Sequence, residues 1–260
     1  MHAHSRFPDH RRQTIRNRLL AGAPVLANDL AVEFAVSEDA IRRDLRALAQ
    51  EGICERVYGG ALPLSPASGP LVERLGIEAP QKARLAAAAL ALLHRGDCVF
   101  LDASSTHLEL ARLIPEDCGI RIVTNSVLIA AELIVKPGLE SSILGGRLNA
   151  HVGGAVDADA LAALAGYRID LCFLGACGCD PAEGLFGFDP EDVAFKRALL
   201  RGARTSAVLL TNDKLAVRAP YRICRTEDIS RYVLSADAPV LARARLAQLG
   251  RDVLTAAPSA

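Results

Sequence analysis

The chain has 260 residues, and its 30 Lys and Arg balance 30 Asp and Glu, so its formal net charge is zero. That length accommodates one large domain or a small and a medium one around a sizeable core, and 51% hydrophobic with 23% charged residues excludes a disordered chain. The longest apolar run, Leu85–Leu93, is too short to span a bilayer, Met1–Arg18 is too polar for a secretory leader, and neutrality argues against a non-specific nucleic-acid coat while permitting a local basic face.

Ile15, Leu19 and Leu20 recur at helical spacing and predict a first helix from about Arg11 to Ala21, broken by Gly22–Leu26. A second, short helix is expected at about Asp29–Phe34, with Asn28 as its N-cap and Leu30, Ala31 and Phe34 inward. Ala35-Val36 makes a tight turn, and Ser37 caps a third helix in which Ile41, Leu45 and Leu48 form one apolar stripe. Arg42, Arg43 and Arg46 lie off that stripe, as side chains on a helix entering the major groove would. Gly52 ends the helix. Ile53–Val57 and Ala61–Leu64 then read as two strands of a small wing around Tyr58-Gly59-Gly60. Residues 1–20 carry Arg6, Arg11, Arg12, Arg16 and Arg18 against Asp9 alone, a concentration expected to face phosphates.

The run Val36-Ser37-Glu38-Asp39-Ala40-Ile41-Arg42-Arg43-Asp44-Leu45, followed by Arg56-Val57-Tyr58-Gly59-Gly60-Ala61, resembles the DNA-binding signature of DeoR-type bacterial regulators, with Ala40 where the family usually has Thr. The resemblance implies a winged helix-turn-helix. It points to Ser37, Arg42 and Arg43 as the first DNA contacts, with Arg46, Arg56, Tyr58, Gly59 and Gly60 completing the candidate DNA-binding set.

Leu62-Pro63-Leu64-Ser65-Pro66-Ala67-Ser68-Gly69-Pro70 is a poor helix and a plausible linker. The expected division is a DNA-binding domain over 1–62, a linker over 63–74 and an effector-sensing domain over 75–260. In the last, apolar runs at Asp97–Leu101, Ile120–Thr124, Ser141–Leu144, Leu171–Leu174, Ala207–Leu210 and Tyr232–Leu234 read as strands. They alternate with helical patterns at Gln81–Leu93, His107–Leu113, Val127–Leu133, Asp157–Ala165, Pro190–Arg201 and Pro239–Gln248, the signature of an α/β domain with a largely parallel sheet.

Ligands of such sheets collect at the carboxyl ends of the strands. There the sequence places Asp102-Ala103-Ser104-Ser105-Thr106, a hydroxyl-rich loop opening a helix and suited to an anion. It also places Asn125, Gly145 and Gly146, Gly175 and Lys214 after successive strands. In this order the pieces are similar to the effector domain of DeoR-type regulators, whose fold is of the ribose-5-phosphate isomerase/CoA transferase-like type. The resemblance implies that Asp102, Ser104, Ser105, Thr106, Asn125, Gly145, Gly146 and Lys214 bind a phosphorylated sugar; Gly175 joins this effector-binding set by its place after a strand, Arg74, Lys82 and Lys196 also fall at family-like positions, and Ser104 stands where the family has Gly.

An isomerase needs a general base near the carbonyl-adjacent carbon. The loop Gly175-Ala176-Cys177-Gly178-Cys179 offers no carboxylate before Asp180, so a sensor without turnover is expected and a sugar-phosphate isomerase-like enzyme is the alternative. Seven cysteines, an odd count in apolar stretches, suggest buried thiols in a reducing, cytoplasmic setting. No cofactor or metal is implied. The expected partners are operator DNA, a phosphorylated sugar or related effector, and further copies of the chain, since winged helices pair half-sites.

Overall fold

The computed structural model describes residues 8–20, 23–51, 53–57, 59–63, 69–217 and 219–258. Its first part comprises α1 (Pro8–Leu20), β1 (Val25–Leu26), α2 (Ala27–Phe34), α3 (Glu38–Gln50) and the hairpin β2 (Cys54–Val57)–β3 (Gly60–Pro63). Ile15, Leu19, Leu30, Phe34, Ile41, Leu45 and Leu48 meet in one core, so the stripe read on α3 packs against the two preceding helices. Ala35 ends α2 in the left-handed conformation (φ 51°), and the Ser37 hydroxyl accepts the Ala40 N–H at the start of α3.

The expected cap at Asn28 is displaced. Leu26 pairs with Gly60 in the β1–β3 ladder and the Ala27 N–H donates to the Gly59 carbonyl, so the helix begins at Ala27 with Leu26 as its cap. Asn28 lies inside the first turn, where its side chain accepts the Asp29 N–H at 2.8 Å.

The second part begins with α4 (Leu71–Arg74) and α5 (Ala79–Ala89), then continues through β4 (Cys98–Leu101), α6 (Ser105–Leu113), β5 (Arg121–Thr124), α7 (Val127–Leu133) and β6 (Glu140–Ile143). A small ladder, β7 (Leu148–Asn149) with β8 (Gly154–Ala155), precedes α8 (Ala158–Leu164) and β9 (Ile169–Phe173). There follow β10 (Gly178–Asp180), β11 (Gly184–Gly187), α9 (Pro190–Gly202), β12 (Ala203–Leu210), β13 (Tyr221–Cys224), β14 (Arg231–Ser235), α10 (Val240–Gln248) and β15 (Asp252–Ala256).

Seven strands form one sheet in the order β15-β14-β12-β9-β4-β5-β6, and every adjacent pair is parallel. Alternate residues face opposite cores: Val99 and Leu101 pack with Leu85, Leu110 and Phe173, whereas Phe100 packs with Cys172, Phe195 and Tyr232. Successive strands run outward one way from β4 and the other way from β9. The order therefore reverses between β4 and β9, and ligands of open α/β sheets bind at such a switch point.

Several short strands go beyond those expected from sequence, β1 and the β7–β8 ladder among them. The edge strand β15 alternates weakly, and β10, β11 and β13 form a separate antiparallel sheet in which glycines of β10 and β11 mask the periodicity. Gly184 there has φ 129°, and a side chain would overlap the Cys224 carbonyl. Of the expected linker, Pro63 belongs to β3 and Leu71 is buried in α4 against Gly153, while 64–68 lie outside the described residues.

Candidate functional site

The first candidate site is the exposed side of α3 with the wing. Arg43 and Arg46 are exposed and, among the described residues, make no ion pair; Arg56 on β2 is the same. Arg42 is engaged by carboxylates of its own helix, Glu38 at 2.6 Å and Asp39 at 3.4 Å. A groove of about 500 Å³ brings Arg42 and Glu38 of α3 beside Asn28, Arg56, Gly59 and Gly60. Gly59 (φ 87°) is exposed at the turn, whereas Gly60 is buried because a side chain would strike the Val25 carbonyl. Gly60 is thus required by the β1–β3 packing. Tyr58 lies outside the described residues.

The expectation that the arginines of the first twenty residues present a free basic face is corrected. Arg11 is buried and paired with Asp44 at 2.6 Å; Arg12 reaches the same carboxylate, Arg16 pairs with Glu51, and Arg18 with Glu33. These charges tie α1 to α2, α3 and its end, because the acidic partners come from segments more than ten residues away. Arg6 lies outside the described residues.

The second candidate site sits at the switch point. Its void is lined by Ala103 and Ser104 after β4, Gly175–Cys177 after β9, Phe188, Asp189, Asp192 and Lys196 around the start of α9, His151 and Val152 from the β7–β8 turn, and Gly69 and Arg74 leading into α5. Asp102 is fully buried; one carboxylate oxygen accepts the Gly175 N–H at 2.8 Å and meets Lys196 at 3.1 Å, while the other has no partner. Lys196 also bonds Asp192 one helical turn away. Burial works against the Lys196 charge, yet Asp102 and Asp192 hold its pKa above the ordinary lysine range. Burial pushes Asp192 up to about 6 against the pull of Lys196.

A cationic group adjoins this void. Arg74 donates to the His151 carbonyl at 3.1 Å and its Nε is buried without a partner; Lys82 donates to the Arg74 carbonyl at 2.5 Å. Lys214, on the turn Asn212–Ala216, is buried, and among the described residues its ammonium has no hydrogen bond or ion pair. Burial lowers Lys214 to about 8, with Arg74 and Lys82 adding repulsion, and Lys82 is lowered by burial and Arg74. Three cations crowded and partly desolvated invite an anion.

The other expected residues are placed differently. Ser104 caps α6 with its hydroxyl on the Thr106 N–H at 3.2 Å, and Ser105 and Thr106 are buried behind it. Asn125 is wholly buried, accepting the Ala103 N–H at 2.9 Å and donating to the Ala155 carbonyl at 3.1 Å, so it braces the loop. Gly145 and Gly146 are exposed and do not line the void; Gly146 (φ 137°) makes a turn where a side chain would overlap Asp157. Asp192, Asp189, Phe188 and His151 were not singled out. Asp192 four residues before Lys196 was the one legible signal. Among the described residues no group of three or more His, Cys, Asp or Glu could hold a metal ion, and no helix is long and apolar enough to cross a membrane.

Two family models match the chain: a DeoR-like helix-turn-helix domain over 11–66 and a DeoR C-terminal sensor domain over 77–236. The chain is 31% identical to the glycerol-3-phosphate regulon repressor of Escherichia coli (strain K12), over 75% of this chain and 78% of that protein. It is 29% identical to a putative aga operon transcriptional repressor of E. coli O157:H7 (94% and 92%), and 30% identical to the L-fucose operon activator of E. coli K12 (86% and 93%). Among solved structures, the sorbitol operon regulator SorC of Klebsiella pneumoniae is similar at 12% identity and a TM-score of 0.42, over 91% of this chain and 98% of that one. With a two-part match spanning most of its length, the chain belongs to the DeoR family of DNA-binding transcriptional regulators.

Proposed function

We propose that this regulator represses a sugar, polyol or related carbon-catabolism operon, and that a phosphorylated metabolite at the switch point sets its affinity for the operator. The carrying observation is the composition of the switch-point site. Arg74, Lys82 and Lys214 supply clustered positive charge, with Asp213 as the acidic neighbour of both lysines, and the unpartnered oxygen of Asp102 supplies an acceptor for a sugar hydroxyl. In this reading α3 enters the major groove with Ser37, Arg42, Arg43 and Arg46, and Arg56 and the 58–60 turn contact the backbone. Asp102, Ser104, Ser105, Thr106, Gly175 and Lys214 serve the effector, with Asn125, Gly145 and Gly146 shaping the surrounding loops. The functional units are 1–62, a connection over 63–74, and 75–260. The regulator works in the cytoplasm as a homo-oligomer, because paired half-sites are read by paired wings.

The protein is read as a non-enzyme. Its relatives are named as regulators, and the Asp102 oxygen nearest Lys196 is already committed to that ammonium and to Gly175. A thermal-shift series of the full chain against phosphorylated sugars and polyols tests the proposal, since a ligand of the folded state raises its melting temperature. At least one phosphorylated compound is expected to do so and its unphosphorylated parent not. A broad panel without a hit defeats the sensor reading, and turnover of any panel member above background defeats the non-enzyme reading.

A further inference from the structure

Two residues of the pocket wall have a second neighbour. Cys177 and Phe188 line the void at the switch point. Both also belong to an apolar cluster with Val57 and Leu62 of the wing hairpin, Phe186 of β11, and Val217 and Ala219. The wing strand β3 therefore faces two ways: Ala61 enters the helix-turn-helix core, and the next residue, Leu62, is 2% exposed against the sensor domain.

The void itself holds about 30 Å³, whereas sites for small molecules run to roughly 300–1,000 Å³. A phosphorylated sugar enters only if a wall moves. The loops after β4 and β9 are held at the ends of central strands, where Asn125 fixes Ala103 and Asp102 fixes Gly175. Phe188, between β11 and α9, carries an apolar side chain held by packing alone; it lines the void and shares an apolar cluster with Leu62.

We infer that effector and seated wing compete: filling the void displaces Phe188, and its displacement removes the seat of Leu62, releasing the wing from the sensor domain. This rests on the effector reading of the pocket given above. Leu62 is then a positioning residue, distant from the ligand. Because coupling between two sites is reciprocal, loosening the wing must tighten the ligand. A ligand that bound both arrangements equally would move nothing.

Hydrogen exchange read by mass spectrometry on the full chain tests this, with glycerol 3-phosphate and glucose 6-phosphate as probes. Leu62→Ser is expected to speed exchange over 184–188 by about tenfold or more, to leave 98–101 and 169–173 as in wild type, and to tighten binding of a probe about threefold or more. Ala176→Leu, or Val152→Phe if the first loses protection over 169–173, fills the void without ligand and is expected to speed exchange over 60–62. Unchanged exchange over 184–188 in Leu62→Ser overturns the inference. So does faster exchange there with unchanged probe affinity, and so does unchanged exchange over 60–62 in the void-filling variants. If neither probe binds either protein, it is the effector reading that suffers, and the void-filling variants alone decide the relay.

Discussion

Arg11 on α1 donates its Nε to the Asp44 carboxylate on α3 at 2.6 Å, with both side chains almost wholly buried. The pair lies under the helix that carries the arginines proposed to read DNA, so the orientation of α3 depends on a charge contact made from its inner side. Removing one partner leaves the other charged and uncompensated. Asp44→Ala is therefore expected to destabilise the DNA-binding part by about 3–5 kcal/mol. Urea denaturation followed by circular dichroism measures this, and a loss below about 1 kcal/mol would show the pair to be dispensable.

On the proposed role of α3, the arginines divide into braces and readers. On a duplex selected by the wild-type protein from random sequence, Arg43→Ala and Arg46→Ala should each weaken binding by about tenfold or more, since a good base contact is worth about 1–3 kcal/mol. Arg16→Ala and Arg18→Ala, whose exposed charges are spent on Glu51 and Glu33, should stay within about threefold, as surface pairs contribute ~0–1 kcal/mol. Titrations at several salt concentrations separate the cases, because loss of a phosphate contact also flattens the salt slope. Equal losses from all four would reject the division.

Lys214 gives the proposed effector site a pH signature. Burial and its cationic neighbours lower it to about 8, and a bound phosphate raises it again by favouring the ammonium. The phosphate ester is already fully ionised above about pH 7. Affinity should therefore be level near pH 7 and fall by up to about tenfold per unit above pH 8. Isothermal titration calorimetry across pH 7–10 shows this as proton uptake on binding, and Lys214→Gln should abolish the dependence. A dependence that survives the substitution assigns the titration to another group.

His107 gives the fold a separate dependence at acid pH. It is fully buried, its Nδ1 lies 2.7 Å from the Asp102 carbonyl, and its ring meets Phe173 edge-on. Burial lowers its pKa to about 4. Between about 4 and 6.5 the unfolded chain binds a proton that the folded chain refuses, so stability falls as pH falls through that window. The contribution should reach roughly 3 kcal/mol at pH 4, at 1.36 kcal/mol per unit. Denaturant midpoints measured from pH 4 to 7 should fall less steeply in His107→Gln, which keeps a donor for the carbonyl. Identical slopes would place the acid sensitivity elsewhere.

Local patterns decided much of the architecture. The i, i+4, i+7 stripe Ile41–Leu45–Leu48 marked the face that α3 buries, and Ser37 marked where that helix starts, because both effects act within two turns. The buried parallel strands β4, β5, β9, β12 and β14 announced themselves as short apolar runs between helical patterns, since both faces of such strands are covered. The edge strand β15 and the glycine-rich β10 and β11 gave no comparable signal, because an edge or a glycine needs no continuous apolar face.

The candidate sites were legible only in part. Asp102, Ser104 and Gly175 read correctly as neighbours of one loop region because the ends of parallel strands gather ligands, and all three lie at the switch point. Gly145 and Gly146 looked the same in sequence but serve a turn outside the void. The phenyl ring of Phe188 and the carboxylate of Asp192 reach the pocket through contacts that no short spacing encodes.

By itself, the sequence determined a winged helix-turn-helix joined to a parallel α/β domain, because helix caps, apolar periodicity and turn residues are local properties. Only the tertiary structure decided what the charges do. A sequence in which 30 basic and 30 acidic residues cancel does not say which of them meet. The fold spends Arg11, Arg12, Arg16 and Arg18 on internal carboxylates, leaves Arg43, Arg46 and Arg56 open to solvent, and crowds Arg74, Lys82 and Lys214 beside a buried pocket. Charges interact through distance and burial, and both are set by segments far apart in the chain.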